Sequence, residues 1–261
     1  MRVLTNIKAN IIIKLSNGKD AFMCERDFDL ALVHSRVCSV DDNGIGTLAE
    51  KRIHRVLKYY FEPREEYHEV PYLGSVADIK NEQGIIEIQT AGFIKLKSKL
   101  SRFTAHTHVT VVYPVIARKE ICRVDADSGE ISPVRISPRP DMASDIFAEM
   151  SAISDLIGNS NFSVMLALLG AREYKYIGKS GRVLRHECDP ISLIELRELE
   201  SVLDYRSLMP KMPEEFTAKQ LFSALRLRNR RASYALNFLR DVGIVEQVSK
   251  RGNAIIYSIT K

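Results

Sequence analysis

Apolar positions change period several times along the chain, and those changes lay out its elements. From Gly46 to Phe61, Leu48, Ile53, Val56, Leu57 and Tyr60 fall at helical spacing, with Glu50 on the more polar side. Strand-like runs follow at Tyr67–Tyr72, Ser75–Lys80 and Ile85–Thr90. Asn81, Glu82, Gln83 and Gly84 join the last two, and the glycine suits a hairpin loop. Phe93–Phe103 predicts a basic amphipathic helix, and His108–Val115, apolar and β-branched, a central strand. Beyond it, Lys119–Val124 and Ile131–Ser137 predict a hairpin around the turn Asp125–Gly129. Asp141–Ile157 has helical spacing (Ile146, Phe147, Met150, Ile153, Ile157), and Phe162–Leu169 reads as a buried strand. Ser192–Leu203 predicts a helix leading to a linker bracketed by Pro210 and Pro213. At the other end of the chain, Asn10–Leu15 predicts a strand, and residues 16–43 show no consistent period.

Strand side chains alternate faces, so Glu87 and Gln89 point one way while Ile86 and Ile88 point the other. A carboxylate in so apolar a strand is costly unless it meets solvent, a partner or a cation. Asp78 on the neighbouring strand is its companion. Two hard oxygen ligands at a strand pair, with Glu50 from the helix as a third, predict a site for Mg2+ or Mn2+.

A helix bearing Glu50, a strand bearing Asp78, Glu87-Ile88-Gln89 on the next strand and Lys95, Lys97 and Lys99 on the following helix fall within residues 44–116. In that order they resemble the PD-(D/E)xK, or restriction-endonuclease-like, nucleases. The resemblance implies an α/β fold with an αβββαβ core, and metal-dependent hydrolysis of phosphodiester bonds. It makes Asp78, Glu87 and Glu50 the metal ligands. Gln89 stands where the family pattern has Lys. An amide can orient water but accepts no proton at neutral pH, so Lys95 on the next helix is the candidate to compensate. The catalytic set is then Glu50, Asp78, Glu87, Gln89 and Lys95. His54, four residues after Glu50 on the same helix face, could approach the site but reads as a packed or solvated side chain and stays outside the catalytic set. The text GTLAEKRIHRVLKYYFEP…HEVPYLGSVADI…IIEIQT is also similar to uncharacterised bacterial proteins that join such a core to a winged helix.

Charge adds a second element of function. The net charge is +5, and residues 214–261 hold nine Lys or Arg against four acids, so 9 − 4 accounts for all of it. A basic module on a neutral body is the electrostatic pattern of a nucleic-acid-binding tail. Thr217–Leu225 predicts a helix capped by Thr217, and Arg230–Val242 a second one capped by Asn229 and ended by Gly243. Ile244–Ser249 and Ala254–Ile259 then predict a hairpin with Lys250 and Arg251 near its tip. This succession resembles a winged helix-turn-helix. Arg230, Arg231, Ser233, Tyr234 and Asn237 would face the bases of a major groove, and Lys250 and Arg251 the phosphates.

The chain therefore reads as two domains, a nuclease-like α/β domain at 1–205 and a winged helix-turn-helix at 206–261. The expected function is a Mg-dependent endonuclease targeted to DNA. The alternative is a non-catalytic DNA-binding regulator with a degenerate nuclease-like domain. RNA stays open as a substrate, because basic charge does not separate the two polymers. Family enzymes that cut both strands often pair up, so a homodimer is compatible with this reading. Apolar content of 45% and charged content of 27% are those of a soluble globular protein, and no apolar run reaches the roughly 20 residues that span a bilayer. Cys24, Cys38, Cys122 and Cys188 are scattered without C-x-x-C spacing, which speaks against zinc and fits the cytoplasm. Gly178-Lys179-Ser180 lacks the upstream glycine of a nucleotide loop, since Glu173 stands there. Lys175, Lys179, Arg182, Arg185 and His186 read as a basic solvated loop.

Overall fold

The structure, a computed structural model, describes residues 27–37 and 48–260, with side chains from Arg52 onward in the helix that opens at Leu48. The strand expected at Asn10–Leu15 lies outside the described residues. The fold is mixed α/β. Its large sheet contains β1 (His68–Tyr72), β2 (Ser75–Asn81), β3 (Gly84–Ile88), β4 (Val109–Asp125), β5 (Arg135–Ile136), β6 (Phe162–Ile177) and β7 (Val183–Leu199). The order is β1-β2-β3-β4-β6-β7, with β3 and β6 parallel to β4 and the other neighbours antiparallel. β5 pairs with Glu120 and Ile121, beyond the stretch of β4 that β3 covers.

Alternation along β4 and β6 sorts their side chains onto two buried faces. Val109, Val111, Tyr113, Val164 and Leu166 lie on one, together with Leu100 and Phe103 of α3 (Lys97–Thr104) and Ile146 and Phe147 of α4 (Ile146–Met150). Val112, Met165, Ala167 and Leu169 lie on the other, with Ala31 of α1 (Phe28–Val37) and Ile53, Val56 and Leu57 of α2 (Leu48–Phe61). With both faces covered, the central strands must be apolar on both sides.

After α5 (Val202–Ser207), the C-terminal elements are β8 (Phe216–Thr217), α6 (Ala218–Ala224), α7 (Asn229–Asp241), β9 (Val245–Arg251) and β10 (Ala254–Ile259). Thr217 caps α6 reciprocally with Gln220, as the sequence predicts. Asn229 provides no cap; it is the first residue of α7 and has φ +54. Gly243, at φ +73, ends α7. These elements share the core of the first sheet face: Phe238 stacks on Phe147 at 5.7 Å and meets Tyr205 edge-on at 5.4 Å.

Four expectations need correction. The helix predicted at Ser192–Leu203 is strand β7 as far as Leu199. Leu193 and Leu196, three apart, imitate helical spacing. Their β6 partners are Leu169 and Ala167, two apart on one face, because the register slips at Ile194 and absorbs the extra residue. The helix predicted at Asp141–Ile157 is one turn of α-helix between two 3-10 turns, Ala143–Asp145 and Ser154–Leu156, although Ile146, Phe147, Met150 and Ile153 are all buried as the pattern requires. The hairpin predicted at Lys119–Ser137 keeps only the two residues of β5 and a bridge between Val124 and Ile131, while β4 continues unbroken beside β6. The basic segment from Lys175 to His186 is the end of β6, a turn closed by Gly178 and Arg182, and the start of β7.

Candidate active site

Two backbone ladders leave a gap at Asp78. Between β1 and β2 the pairs are His68 with Ile79 and Val70 with Ala77, passing over Glu69, whose φ is +50, and Asp78. Between β2 and β3 the pairs run from Asn81 and Gly84 to Ile79 and Ile86 and stop before Asp78 and Glu87. The Asp78 side chain takes over there. Its Oδ2 accepts the Ile88 N–H at 2.8 Å and lies 3.0 Å from His54 Nε2 on α2.

Glu87 is 2% exposed. Its Oε2 accepts from Lys99 Nζ of α3 at 2.5 Å, while Oε1 is buried and has no hydrogen-bond partner among the described residues. Burial, and then the negative charge of Asp78, push the Glu87 carboxyl up to about 7 against the opposing pull of Lys99 and of the Asp78 N–H. Burial acts on Asp78 in the same direction. Its carboxyl nevertheless sits below the ordinary range, because of the hydrogen bond and charge of His54, the Ile88 N–H and the charge of Lys58. Lys58 lies one turn after His54 on the same helix face and ion-pairs with Glu69. Two carboxylates with separated protonation preferences thus meet between a helix on each face of the sheet.

The charge of Asp78 acts on the Glu87 carboxyl, while His54 of α2 holds Asp78 and Lys99 of α3 holds Glu87. Glu50 belongs to α2, four residues before His54, and its side chain lies outside the described residues. The Gln89 amide donates to the Ala91 carbonyl, so it is engaged with its own loop. Lys95 is exposed, and Lys99 is the lysine at the acidic pair. The sequence reads residues 93–103 as one α-helix, whereas Phe93–Lys95 is a 3-10 turn, and the tighter winding shifts the phase of every later side chain. His54, which the sequence places on the Glu50 face but outside the catalytic set, is the partner of Asp78. Its spacing from Glu50 was the available signal, but only folding shows it meeting Asp78.

Among the described residues, no group of three or more His, Cys, Asp or Glu is placed to hold a metal ion. Asp78 and Glu87 supply two hard carboxylates. Mg2+ commonly takes one or two from a protein and completes its shell with water and substrate phosphates. The buried, unpartnered Glu87 Oε1 is an acceptor that such a cation would satisfy.

On α7, Arg230, Ser233, Tyr234 and Asn237 are exposed, while Ala232, Ala235, Leu236, Phe238 and Leu239 are buried. Arg226 and Arg228 are exposed on the turn before it, and Lys250 on β9. Arg251 donates to Glu215 at 2.6 Å. Arg231 is half-exposed and lies 3.7 Å from Glu149 Oε1 of α4.

Residues 51–208 match a family described as a domain of unknown function, DUF8091. A protein of Treponema pallidum (strain Nichols), itself described as uncharacterized, is 32% identical over 221 residues, which cover 82% of this chain and 86% of that protein. No solved structure matches the chain. The chain belongs to the DUF8091 family.

Proposed function

We propose that this DUF8091 protein is a Mg2+- or Mn2+-dependent endonuclease with a restriction-endonuclease-like core, directed to DNA by a C-terminal winged helix-turn-helix. The observation that carries the reading is the Asp78–Glu87 pair, where one buried carboxylate oxygen lacks a partner at a gap in the sheet. When bound, the metal supplies an electrophile that polarises the scissile phosphate and neutralises charge on the leaving oxygen. Asp78 and Glu87 would hold it. His54 fixes the Asp78 carboxylate, and Lys99 brings to the site the positive charge that the Gln89 amide cannot. Glu50, in α2, is proposed as a further ligand. Arg230, Arg231, Ser233, Tyr234, Asn237, Lys250 and Arg251 contact DNA in this reading, and the exposure of the α7 set suits that role.

A second reading, a non-catalytic DNA-binding regulator, draws on one specific observation. Lys99 already occupies one oxygen of Glu87, as a structural partner would in a site that no longer takes metal.

Thermal denaturation with and without Mg2+ separates the two. At tenfold over its dissociation constant a bound ion stabilises by about 1.4 kcal/mol, a rise of a few degrees for a chain of this size. That rise is expected in the wild type and absent in Glu87→Ala. A metal shift of equal size in both proteins would sink the assignment.

A further inference from the structure

Glu149 is the one side chain among those described that hydrogen-bonds the loop behind the motif strand while facing α7. Its Oε2 accepts the Gly92 N–H at 2.7 Å, and its Oε1 lies 3.7 Å from the Arg231 guanidinium. It is well shielded, at 13% exposure against 51% for Arg231. Gly92 has a left-handed φ of +74 and opens the 3-10 turn Phe93–Lys95, which runs into α3. α3 carries Lys99, whose ammonium sits on Glu87. An unbroken chain of contacts therefore runs from the first turn of α7 through Glu149 and Gly92 to α3 and Glu87. α4, which bears Glu149, cannot drift from α7, because Phe147 stacks on Phe238 and Tyr205 packs against both elements.

We infer that Glu149 is a positioning residue that reports the occupancy of α7 to the acidic pair. The inference rests on the nucleic-acid reading of α7 given above. In the free protein the Glu149 charge is divided between Arg231 and the Gly92 N–H. A phosphate that draws Arg231 outward leaves the whole carboxylate to Gly92, since a carboxylate without a counter-ion is a stronger acceptor. The loop that sets the start of α3, and with it the reach of Lys99, is then held more tightly. Substrate binding at α7 and the setting of Lys99 become one event. A phosphate that draws Arg231 outward exchanges the 3.7 Å contact to Glu149 together with its contact to the Tyr113 hydroxyl and the charge of Asp145, and the half-exposed guanidinium is open to that exchange.

The test is amide hydrogen exchange at Gly92 in the full chain, with and without a 30-base-pair DNA duplex, in wild type, Arg231→Ala and Glu149→Gln. The duplex should slow exchange at Gly92 in the wild type by about two- to fivefold, the size a half-exposed ion pair supports. Arg231→Ala should show that slowing without DNA and gain nothing when the duplex is added. Glu149→Gln can still accept from Gly92 but has no charge to redistribute, so it should bind the duplex through Arg226, Arg228, Arg230 and Lys250 with no change at Gly92. The conservative amide also guards against misreading a misfolded variant. Duplex binding that leaves Gly92 unchanged in the wild type would overturn the coupling and leave the proposed function standing. A change at Gly92 that persists in Glu149→Gln would overturn it likewise. Absence of duplex binding by the wild type would overturn the coupling together with the role of α7, and a Mg2+ shift abolished by Glu87→Ala would show that the acidic site survives on its own.

Discussion

Glu87 and Glu62 are both buried carboxylates, yet their surroundings give them opposite responses to pH. Glu62 is 3% exposed and takes Arg64 through both oxygens, at 2.8 and 3.0 Å, and Asn81 at 3.0 Å. Burial opposes these partners, but they bring its carboxyl down to about 2 from 4.5. Its stabilising contribution is present above 4.5 and is lost as pH falls toward 2. Glu87 is raised from 4.5 to about 7, so the folded chain holds that proton more tightly than the unfolded chain does. Its contribution is complete below 4.5 and disappears as pH rises to 7 and beyond. Denaturant midpoints across pH should therefore diverge in two directions. Glu62→Gln should cost about 1–3 kcal/mol at pH 7 and progressively less below pH 4, whereas Glu87→Gln should gain on the wild type by a similar amount between pH 5 and pH 8. Parallel pH profiles for wild type and Glu87→Gln would show that Glu87 is not the strained acid described here. The sequence exposed the oddity of Glu87 through its apolar neighbours. It could not expose Lys99 or His54 as partners, because each arrives from a different helix across the fold.

The β2–β3 hairpin is the element that sets the two acids against each other. Gly84 has φ +131, and a Cβ there would stand 2.5 Å from the His108 carbonyl oxygen, which accepts the Ile85 N–H at 2.9 Å. Neither the dihedral nor the close approach admits another residue. Gly84→Ala is expected to lower stability by about 2–3 kcal/mol and to disturb the pairing of Ile79 with Ile86 that precedes Asp78 and Glu87. A loss below about 0.5 kcal/mol by chemical denaturation would show that the turn relaxes freely and does not set the register. This hairpin was legible in the sequence because its signals are local, a glycine and flanking strand-like runs, although the four-residue loop read there narrows to Glu82 and Gln83, since Asn81 pairs with Gly84. β7 was not. Its leucines follow a helical period only because a bulge opposite β6 adds a residue, and that bulge depends on a partner strand more than ten residues distant in sequence. The phase of α3 was lost for a smaller reason, three residues of 3-10 turn that no apolar pattern marks.

Over the whole molecule, the basic C-terminal elements and the sheet are joined through one core, with Phe238, Leu236, Leu221 and Phe216 in the same buried cluster as Phe147, Tyr113 and Val111. The charge count identified the region. It gave no sign that α7 packs on α4, because Phe147 and Phe238 each look like an ordinary apolar position on their own helix. The shared core joins an exposed arginine-rich turn and the acidic pair, as the proposed nuclease requires if it cuts at a set distance from what it grips. Cleavage is the direct test of that reading. Plasmid, linear duplex, single-stranded DNA and RNA would each be incubated with the full chain in Mg2+ or Mn2+, beside Asp78→Ala and Glu87→Ala. Cutting that needs the metal and vanishes in both variants is the expected result, and the substrate cut would settle the choice between DNA and RNA. Duplex binding with no cutting of any substrate in either metal would contradict the nuclease and leave the chain a DNA-binding regulator, with Gln89 the mark of a lost active site.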